Sequence, residues 1–459
     1  MKKQMNRSGK WLNIIRMAVF AGLASAVFLS CSSNRFEGKI IAVELVGEPD
    51  LLEGAQLVLV DPERTDKASS ALLDDFESSA SPSLSHEGRY LYFQGKQKQG
   101  DPWQIWVMDL KKGEVNQVID LPENCTSPAS LPDGSVVFSR EGDLKGKTVQ
   151  NLWKCMMDGC CLTQLTHNPA ENTLASVLWE GRILYSSKQI YPEARDEQLM
   201  IMRPDGTKSE LYTPGCCGLL PVSGGQESPD GHIYFISSDG QLSRVLHRRP
   251  LHTFENLSID VGGSFASVAP AADSTCVVSY LPVGGSTFGL YRYDPRRKET
   301  PLALFQGDRH LVDPLIVAVL DPRPRILPSP VDPSKPTAIL MIQDINHSSL
   351  PVLEGITGDS LADRIRISTL EGELGIVEAK DDGSVYVKLD ADTPFKIETL
   401  NSQGESLREP SDWIYLRPNE RRACTGCHVN PELAPRNYQP HAVKEDPVVL
   451  ASQAKENSN

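Results

Sequence analysis

Short segments in which apolar and polar residues alternate, separated by turn residues, dominate the chain between about residues 40 and 320. In the clearest copy, Ser81-Pro82 precedes a Glu87-Gly88 turn, an alternating strand follows at residues 90–93, and a second strand at residues 104–109 ends in an aspartate. Such alternation is typical of strands with one buried face, and Asp-Gly or equivalent pairs are typical of tight turns. Helical periodicity is almost absent, so the pattern predicts a mainly β protein.

The same theme recurs along this part of the chain. Further copies cover residues 127–166, 182–206, 229–245 and 276–294, and a degenerate first copy covers residues 40–61. Two or four strands of this kind cannot bury their apolar face alone, and repeats of roughly 40 to 50 residues stack radially into a propeller. We therefore expect a β-propeller of about six blades over residues 40–320, with a pair of β-sandwiches as the alternative.

The composition changes after residue 320. Residues 321–336 are rich in proline, which predicts a stiff, extended connector. Five further strands are predicted at residues 337–343, 364–369, 375–378, 384–389 and 395–400. These strands indicate a sandwich-like β domain over residues 337–446, followed by a polar tail at residues 447–459 that we expect to be disordered.

The first residues have the pattern of an export signal. Five basic residues precede or enter a short apolar run at residues 17–30, which is too short to span a bilayer easily. Ser30-Cys31 closes the run in the manner of a bacterial lipoprotein site, so residues 1–30 are expected to be a lipoprotein signal peptide, Cys31 the lipidated residue, and residues 31–39 a tether. The alternative is an ordinary signal peptide. This pattern predicts a protein of the bacterial cell envelope, lipid-anchored to the membrane on its periplasmic or outer-membrane face.

The formal net charge of the chain is −14. An acidic chain lacks the basic surface with which proteins attract phosphate backbones. We therefore expect no nucleic-acid partner.

The strongest chemical signal is Cys424-Thr425-Gly426-Cys427-His428. Cys-x-x-Cys-His is the attachment pattern of haem c: Cys424 and Cys427 would bind one haem covalently, and His428 would be an axial ligand of its iron. A zinc half-site is one alternative, but only His441 follows as a further ligand. A thioredoxin-like pair is another, but no βαβ pattern surrounds the motif.

Seven cysteines lie outside both termini: Cys125, Cys155, Cys160, Cys161, Cys216, Cys217 and Cys276. In an oxidising compartment we expect some of them to pair, and Cys155 with Cys160 or Cys161 would close a short hairpin. A clustered cysteine and histidine metal site is the alternative.

The second axial ligand of the iron is open in the sequence. No methionine follows Met341, which leaves His347, His441 and Tyr438 as candidates. Three arginines before the motif are candidate partners of the haem propionates, since guanidinium groups bind carboxylates in a bidentate manner, and a solvated basic run is the alternative. These are Arg417, Arg421 and Arg422.

Two resemblances follow from these motifs. The Ser-Pro and Asp-Gly turns with a following strand resemble TolB-type, WD40-like β-propellers. Residues 326–335, 389–400 and above all 417–442 resemble the middle domain of the hydrazine synthase alpha subunit, although Asn419 replaces the glycine of its Arg-Pro-Gly-Glu-Arg sequence. The resemblance implies an envelope cytochrome with a propeller. Because the chain has a single Cys-x-x-Cys-His motif, the full hydrazine-forming activity is not expected of it.

Three functions compete on this basis. The first is an envelope-anchored monohaem c-type cytochrome that transfers electrons, with the propeller as a docking platform for a redox partner protein. The second is a haem-dependent oxidoreductase or a sensor for a small nitrogen or oxygen compound. The third is a scaffold protein in which the propeller binds the partner.

Overall fold

The computed structural model describes residues 35–47, 52–64, 69–213, 224–319, 323–426 and 436–451. Cys31, Cys216, Cys217, Cys427 and His428 lie outside these ranges, as does the predicted signal peptide.

The first part of the described chain forms short strands that are almost all antiparallel to their neighbours. They are β1 (Ile40–Leu45), β2 (Gln56–Val60), β3 (Ser70–Ala71), β4 (Ser78–Leu84), β5 (Tyr90–Lys96), β6 (Gln104–Asp109), β7 (Glu114–Gln117), β8 (Cys125–Ser130), β9 (Ser135–Leu144), β10 (Lys147–Met156), β11 (Thr163–Gln164), β12 (Ala170–Val177), β13 (Ile183–Gln189), β14 (Gln198–Met202), β15 (Glu210–Thr213), β16 (Gln226–Glu227), β17 (His232–Ile236), β18 (Leu242–Leu246), β19 (Glu255–Asn256), β20 (Ser264–Pro270), β21 (Cys276–Leu281), β22 (Gly289–Tyr293), β23 (Leu302–Phe305) and β24 (His310–Ile316).

Within the described ranges these strands form six four-stranded blades. Five blades use consecutive strands, β4 to β7, β8 to β11, β12 to β15, β16 to β19 and β20 to β23, and the third and fourth touch through one bridge between Gln150 and Glu171. The first blade has the order β24-β1-β2-β3, so the last propeller strand pairs with the first, from Ile40 opposite Ile316 to Leu45 opposite His310. This pairing closes the ring. The predicted propeller is confirmed, and the alternative of two sandwiches is wrong.

The apolar faces of neighbouring blades pack against each other all around the ring. Blade two contributes Tyr92 and Ile105 to a cluster that contains Phe138 of blade three, for example, and blade six contributes Val277 and Leu290 to a cluster with Ile40 of blade one. Four further clusters join the other neighbouring pairs. The alternation in the sequence has this physical cause, because each blade buries its apolar residues against the next blade.

An aspartate closes the same turn in several blades. The carboxylate of Asp133 accepts a hydrogen bond from the amide of Ser135 at 3.0 Å, and Asp273 accepts from Thr275 at 3.0 Å in the same way. The intervening Gly134 has φ +87°, a left-handed conformation that glycine adopts without steric cost. The Asp-Gly signals of the sequence therefore mark real turns between the first and second strands of a blade.

The second unit has two sheets that face each other. Its strands are β25 (Thr337–Ile342), β26 (Arg364–Thr369), β27 (Gly372–Glu378), β28 (Val385–Asp390), β29 (Phe395–Leu400), β30 (Arg421–Cys424) and β31 (Val448–Val449), with one 3-10 helix at His441–Lys444. One sheet has the order β30-β25-β28-β31 and the other β27-β26-β29. Leu340 and Val387 of the first sheet pack against Ile365 and Ile367 of the second in one apolar core. The predicted sandwich-like domain is confirmed.

Two features of the sandwich differ from the sequence-based expectations. Strand β30 was not predicted: it runs parallel to β25, and its partner lies some 80 positions away along the chain, so no local pattern reveals it. The expected disordered tail is wrong at Val448–Val449, which pair with β28. Both additions complete the sheet that carries the cysteine motif.

The expected disulfide of Cys155 is also wrong. Cys155 is buried in the cluster between blades two and three, whereas Cys160 and Cys161 lie on an exposed turn. All six cysteines in the described ranges are free. Strand alternation causes the mismatch, because it directs the Cys155 thiol into the blade.

No helix within the described ranges is long and apolar enough to cross a membrane.

Candidate functional site

Cys424 lies at the point where strand β30 ends. The strand pairs with β25 from Arg421 opposite Ile339 to Cys424 opposite Ile342, and the Cys424 carbonyl accepts a hydrogen bond from the Gln343 amide at 2.9 Å. The sandwich therefore fixes the backbone of the first cysteine of the motif. Cys427 and His428 stay predictions, because they lie outside the described residues.

The Cys424 side chain is half-buried against the apolar core of the sandwich. Burial raises the pKa of its thiol, and the positive charge of Arg422 opposes this shift only in part. Among the described residues, no group of three histidines, cysteines, aspartates or glutamates could hold a metal ion. The position of Cys424 at the edge of an apolar core suits the attachment of an apolar macrocycle such as a haem.

Gln343 connects the two ends of the segment that carries the rest of the motif. Besides its amide bond to Cys424, its buried side chain donates to the Arg436 carbonyl at 2.7 Å and accepts from the Arg436 amide at 3.1 Å. The Tyr438 hydroxyl donates to the Gln343 carbonyl at 3.1 Å. Gln343 thus binds the chain both at Cys424 and at Arg436, before and after residues 427–435. The sequence showed Gln343 only as the end of a strand, since its partners are about 80 to 95 positions away.

The candidates for the second axial ligand lie at the same end of the sandwich. His347 is half-buried in the turn after β25, where its amide donates to the Asp344 carbonyl at 3.1 Å. Exposed His441 begins the 3-10 helix, and its amide donates to Asp382 at 2.7 Å. Tyr438 is held at Gln343, and burial together with nearby Asp382 raises its pKa. The choice among the three stays open.

The three candidate propionate partners have different surroundings. Arg417 is 5% exposed and pairs with Asp392 at 2.8 Å, and its guanidinium also donates to the Asp205 carbonyl at 3.2 Å and to the His167 ring. Arg422 binds Glu420 at 2.8 Å and the Ser209 carbonyl at 3.0 Å. Exposed Arg421 forms no ion pair or hydrogen bond through its side chain within the described part of the chain. Of the three, Arg421 is therefore the arginine with donors available for an added anion.

Glu420 joins the cysteine strand to the propeller. Its side chain, in a residue only 2% exposed, accepts hydrogen bonds from the backbone amides of Arg417 at 2.8 Å and of Lys208 at 2.9 Å, and from Arg422. Lys208 belongs to the turn before β15, in the fourth blade. A buried carboxylate needs such a set of donors, because burial without them costs several kcal/mol. The Glu-Arg pair before the motif therefore fixes β30 against blade four.

Further contacts surround this point. The Trp413 indole donates to the Tyr191 carbonyl at 2.9 Å, and buried Tyr415 lies 3.9 Å from the Met202 sulfur. Tyr415 also packs edge-on against the His167 ring, with centroids 5.4 Å apart. The interface thus combines an apolar centre with a buried polar network.

His167 is neutral in this network. Burial, and then the charge of Arg417, lower its pKa to about 3. Its 3.4 Å approach to Asp392 is therefore not an ion pair near neutral pH, and its ring nitrogen accepts from Arg417 instead.

Asn419 explains the departure from the family sequence. Its φ is +64°, in the left-handed region where glycine is free of strain and asparagine is the best tolerated alternative. The Gly-to-Asn replacement therefore conserves the turn that leads into Glu420.

The fold and the site together define a six-bladed propeller followed by a β-sandwich whose edge strand leads into a Cys-x-x-Cys-His sequence. Residues 354–429 match the family model of the hydrazine synthase alpha subunit middle domain. The hydrazine synthase subunit alpha of Kuenenia stuttgartiensis is 21% identical over 513 residues, which cover 82% of this chain and 62% of that protein. The chain is thus homologous to that subunit but spans less than two thirds of its length.

One solved structure agrees on the fold across most of the chain. The Kuenenia stuttgartiensis hydrazine synthase superposes with a TM-score of 0.77 at 19% identity, covering 89% of this chain and 71% of that one. The TolB of Acinetobacter baumannii gives a TM-score of 0.41 at 15% identity, covering 61% of this chain and 66% of that one. The resemblance to the hydrazine synthase alpha middle domain is confirmed.

The left-handed turn at Asn419 predicts a specific order of stabilities. Asn419→Gly removes the cost of a positive φ but also the side-chain hydrogen bond to the Pro330 carbonyl, so the free energy of unfolding should change little. Asn419→Val should lower it by about 1–2 kcal/mol, because a β-branched residue is strained at positive φ and cannot form that bond. Urea unfolding measures both values. Asn116→Val, at an exposed strand position, serves as the control and should change stability by less than about 0.5 kcal/mol. Equal effects of the two valine substitutions would contradict the argument.

The neutral His167 predicts a pH dependence. The pKa of its imidazole is about 3 in the folded chain and near 6.5 when unfolded, so the unfolded state binds more protons as the pH falls below 6.5. Stability should fall with pH by up to about 1.4 kcal/mol per unit between pH 6 and 4 from this group alone. In His167→Gln, where the amide oxygen still accepts from Arg417, the loss should be shallower. Exposed His252→Gln is the control, and parallel profiles for His167→Gln and the unchanged chain would refute the prediction.

Proposed function

We propose that this chain is a c-type haem protein that acts on, or senses, a small nitrogen compound, in the manner of a hydrazine synthase alpha-like subunit. One haem would be attached through Cys424 and Cys427, with His428 on the iron. The observation that carries this proposal is the position of the motif. It begins at the end of β30, inside the segment that matches the hydrazine synthase alpha middle domain.

The homology favours this function over electron transfer. The aligned region covers 82% of the chain, both propeller and sandwich, and the relative is a subunit of an enzyme named for making hydrazine. No feature of the described residues speaks specifically for an electron-transfer cytochrome. Because the sequence has one Cys-x-x-Cys-His, we assign it a reaction or binding step on a small nitrogen compound, not the whole synthesis.

The described residues have a definite task in this proposal. Gln343 holds both ends of the segment from Cys424 to Arg436, and Glu420 fixes the strand that precedes it. Fixed ends keep a ligand-bearing segment from moving away from its cofactor, which is the kind of support on which metal sites depend. When bound, the haem would supply an iron that takes up small ligands and exchanges electrons.

The location and the partners belong to the same proposal. The basic and apolar sequence before Cys31 supports export to the cell envelope and a lipid anchor, and c-type haem attachment takes place on that side of the membrane. Other subunits or a redox partner protein would supply or remove electrons, with the propeller as the docking platform.

Covalent attachment is the first part to test. We expect the full chain, expressed with c-type haem maturation machinery, to give a haem-stained band on a denaturing gel. The double variant Cys424→Ala/Cys427→Ala should abolish the band, because no thiol of the motif is then left to form a thioether with the haem. Cys160→Ser, which removes an exposed free thiol far from the motif, should leave it unchanged.

The spectrum of the same protein then separates the functions. We expect the reduced protein to shift its visible bands with carbon monoxide or nitric oxide, and the oxidised protein with hydroxylamine, because a reactive haem needs an exchangeable iron position. Sharp low-spin bands indifferent to all three ligands would overturn the proposal in favour of electron transfer. A chain without covalent haem would overturn it altogether.

A further inference from the structure

Two adjoining clefts lie where the propeller, the connector and the sandwich meet. One has a volume of ≈ 400 Å³ and follows the sandwich from Thr337 to Ile339 and Lys388, and the other, of ≈ 410 Å³, reaches Lys208 of the propeller. They share four residues, Lys335, Asn419, Glu420 and Arg421. We call the two together the basic groove. Its size is in the range of small-molecule sites.

The groove is cationic in a protein that is acidic overall. Four basic residues line it: Lys208, Lys335, Lys388 and Arg421. The formal charge of the whole chain is −14, so a cluster of this kind does not follow from composition. Low-dielectric walls around clustered charges strengthen the local field and attract an ion of the opposite sign.

Glu420, the acidic residue in the lining, does not neutralise Arg421 or Lys208. Glu420 is buried, and its carboxylate is already engaged with Arg422 and with two backbone amides. Outside the lining, Asp332 lies 3.7 Å from the Lys335 amine, with both side chains well exposed. Neither the Arg421 guanidinium nor the Lys208 amine has an ion-pair partner among the described residues.

The strands fix the positions of the cations. Ile339 lies opposite Arg421 on one side and opposite Lys388 on the other, so the three residues form one row across the outer face of the sheet. Neighbouring strands are about 4.8 Å apart, so Arg421 and Lys388 lie one strand away from Ile339, on its two sides. Asn419 donates to the Pro330 carbonyl at 3.0 Å and holds the connector against this row.

Lys208 approaches from the propeller in a constrained conformation. Its φ is +53°, and its amide is bound to Glu420 at 2.9 Å. Asn419, on the opposite wall, is also left-handed. Two non-glycine residues at positive φ thus line the groove where the two domains meet. Such backbone conformations cost free energy, and the hydrogen bonds around Glu420 offset that cost.

We infer that the basic groove binds carboxylate groups through Arg421, Lys208 and Lys335. A planar guanidinium beside two amines matches a carboxylate with charge-assisted hydrogen bonds. The carboxylate has two sources. It is either a haem propionate, which rests on the proposed function, or a free small carboxylate.

Calorimetric titration with succinate at low ionic strength tests the groove without haem. The protein is the full chain with Cys424→Ala and Cys427→Ala. We expect binding that weakens at least about tenfold in Arg421→Gln and in Lys208→Gln, as the loss of a charge-assisted bond implies. Arg297→Gln, which removes an exposed cation elsewhere, should bind as before. Unchanged thermal unfolding of the variants shows that they are folded.

The haem-loaded protein distinguishes the two sources. If propionates occupy the groove, succinate binding is lost on loading, and Arg421→Gln shifts the propionate bending bands in the resonance Raman spectrum and lowers the reduction potential. If succinate binds equally with and without haem, the ligand is a free carboxylate. Failure of haem attachment would refute the proposed function alone, because the haem-free titration still tests the groove. No succinate binding together with an unchanged Raman spectrum in Arg421→Gln would overturn the inference.

Discussion

The buried carboxylate of Glu420 is the constraint on which the arrangement of the two domains depends. It lies four residues before Cys424, and its donors come from its own segment, Arg417 and Arg422, and from Lys208 of blade four. A carboxylate in this position costs much free energy unless all of its acceptor sites are used, so the donors cannot be separated without a penalty. Because one donor belongs to the propeller, the penalty resists separation of the domains.

The propeller can serve as this support because it is closed. Pairing of β1 with β24 joins the ends of the ring, and apolar clusters between every pair of neighbouring blades leave each blade held on both sides. The sandwich has its own core. The strand before the cysteine motif is therefore fixed twice, by β25 within the sandwich and by blade four outside it. A cofactor attached at Cys424 would therefore have a fixed position relative to both the sandwich and the propeller.

Local patterns in the sequence predicted most of the strands, because alternation and Asp-Gly turns act over a few residues. The strand at Arg364–Thr369, for instance, was predicted with its observed bounds. Strand β30 and the role of Gln343 depend on partners 80 or more positions away, for which the sequence has no local sign. For Arg417 and Arg422 the sequence predicts propionate partners or a solvated basic run, since nothing near them in sequence shows that Asp392, His167 and Ser209 surround them.

The cysteines also show that local sequence patterns do not reveal which residues meet in space. Their number suggested disulfides, but the alternation of β10 directs Cys155 into the core and away from the exposed pair at the next turn. The Arg-Pro-Gly-Glu-Arg sequence of the family, in contrast, holds more structural information than the Cys-x-x-Cys-His motif alone. The glycine that Asn419 replaces stands at a left-handed turn, and the glutamate that follows it, Glu420, forms the buried pair with Arg422 at the interface.

Differential scanning calorimetry of Glu420→Gln tests this account most directly. The amide leaves Arg422 without its charged partner and places an NH₂ group near backbone donors, so we expect the unfolding free energy to fall by about 3 kcal/mol or more. The sandwich should then unfold in a separate transition below that of the propeller, whereas the unchanged chain and the exposed control Glu409→Gln unfold together. A single transition at an unaltered temperature in Glu420→Gln would contradict the claim that this carboxylate holds the two domains together.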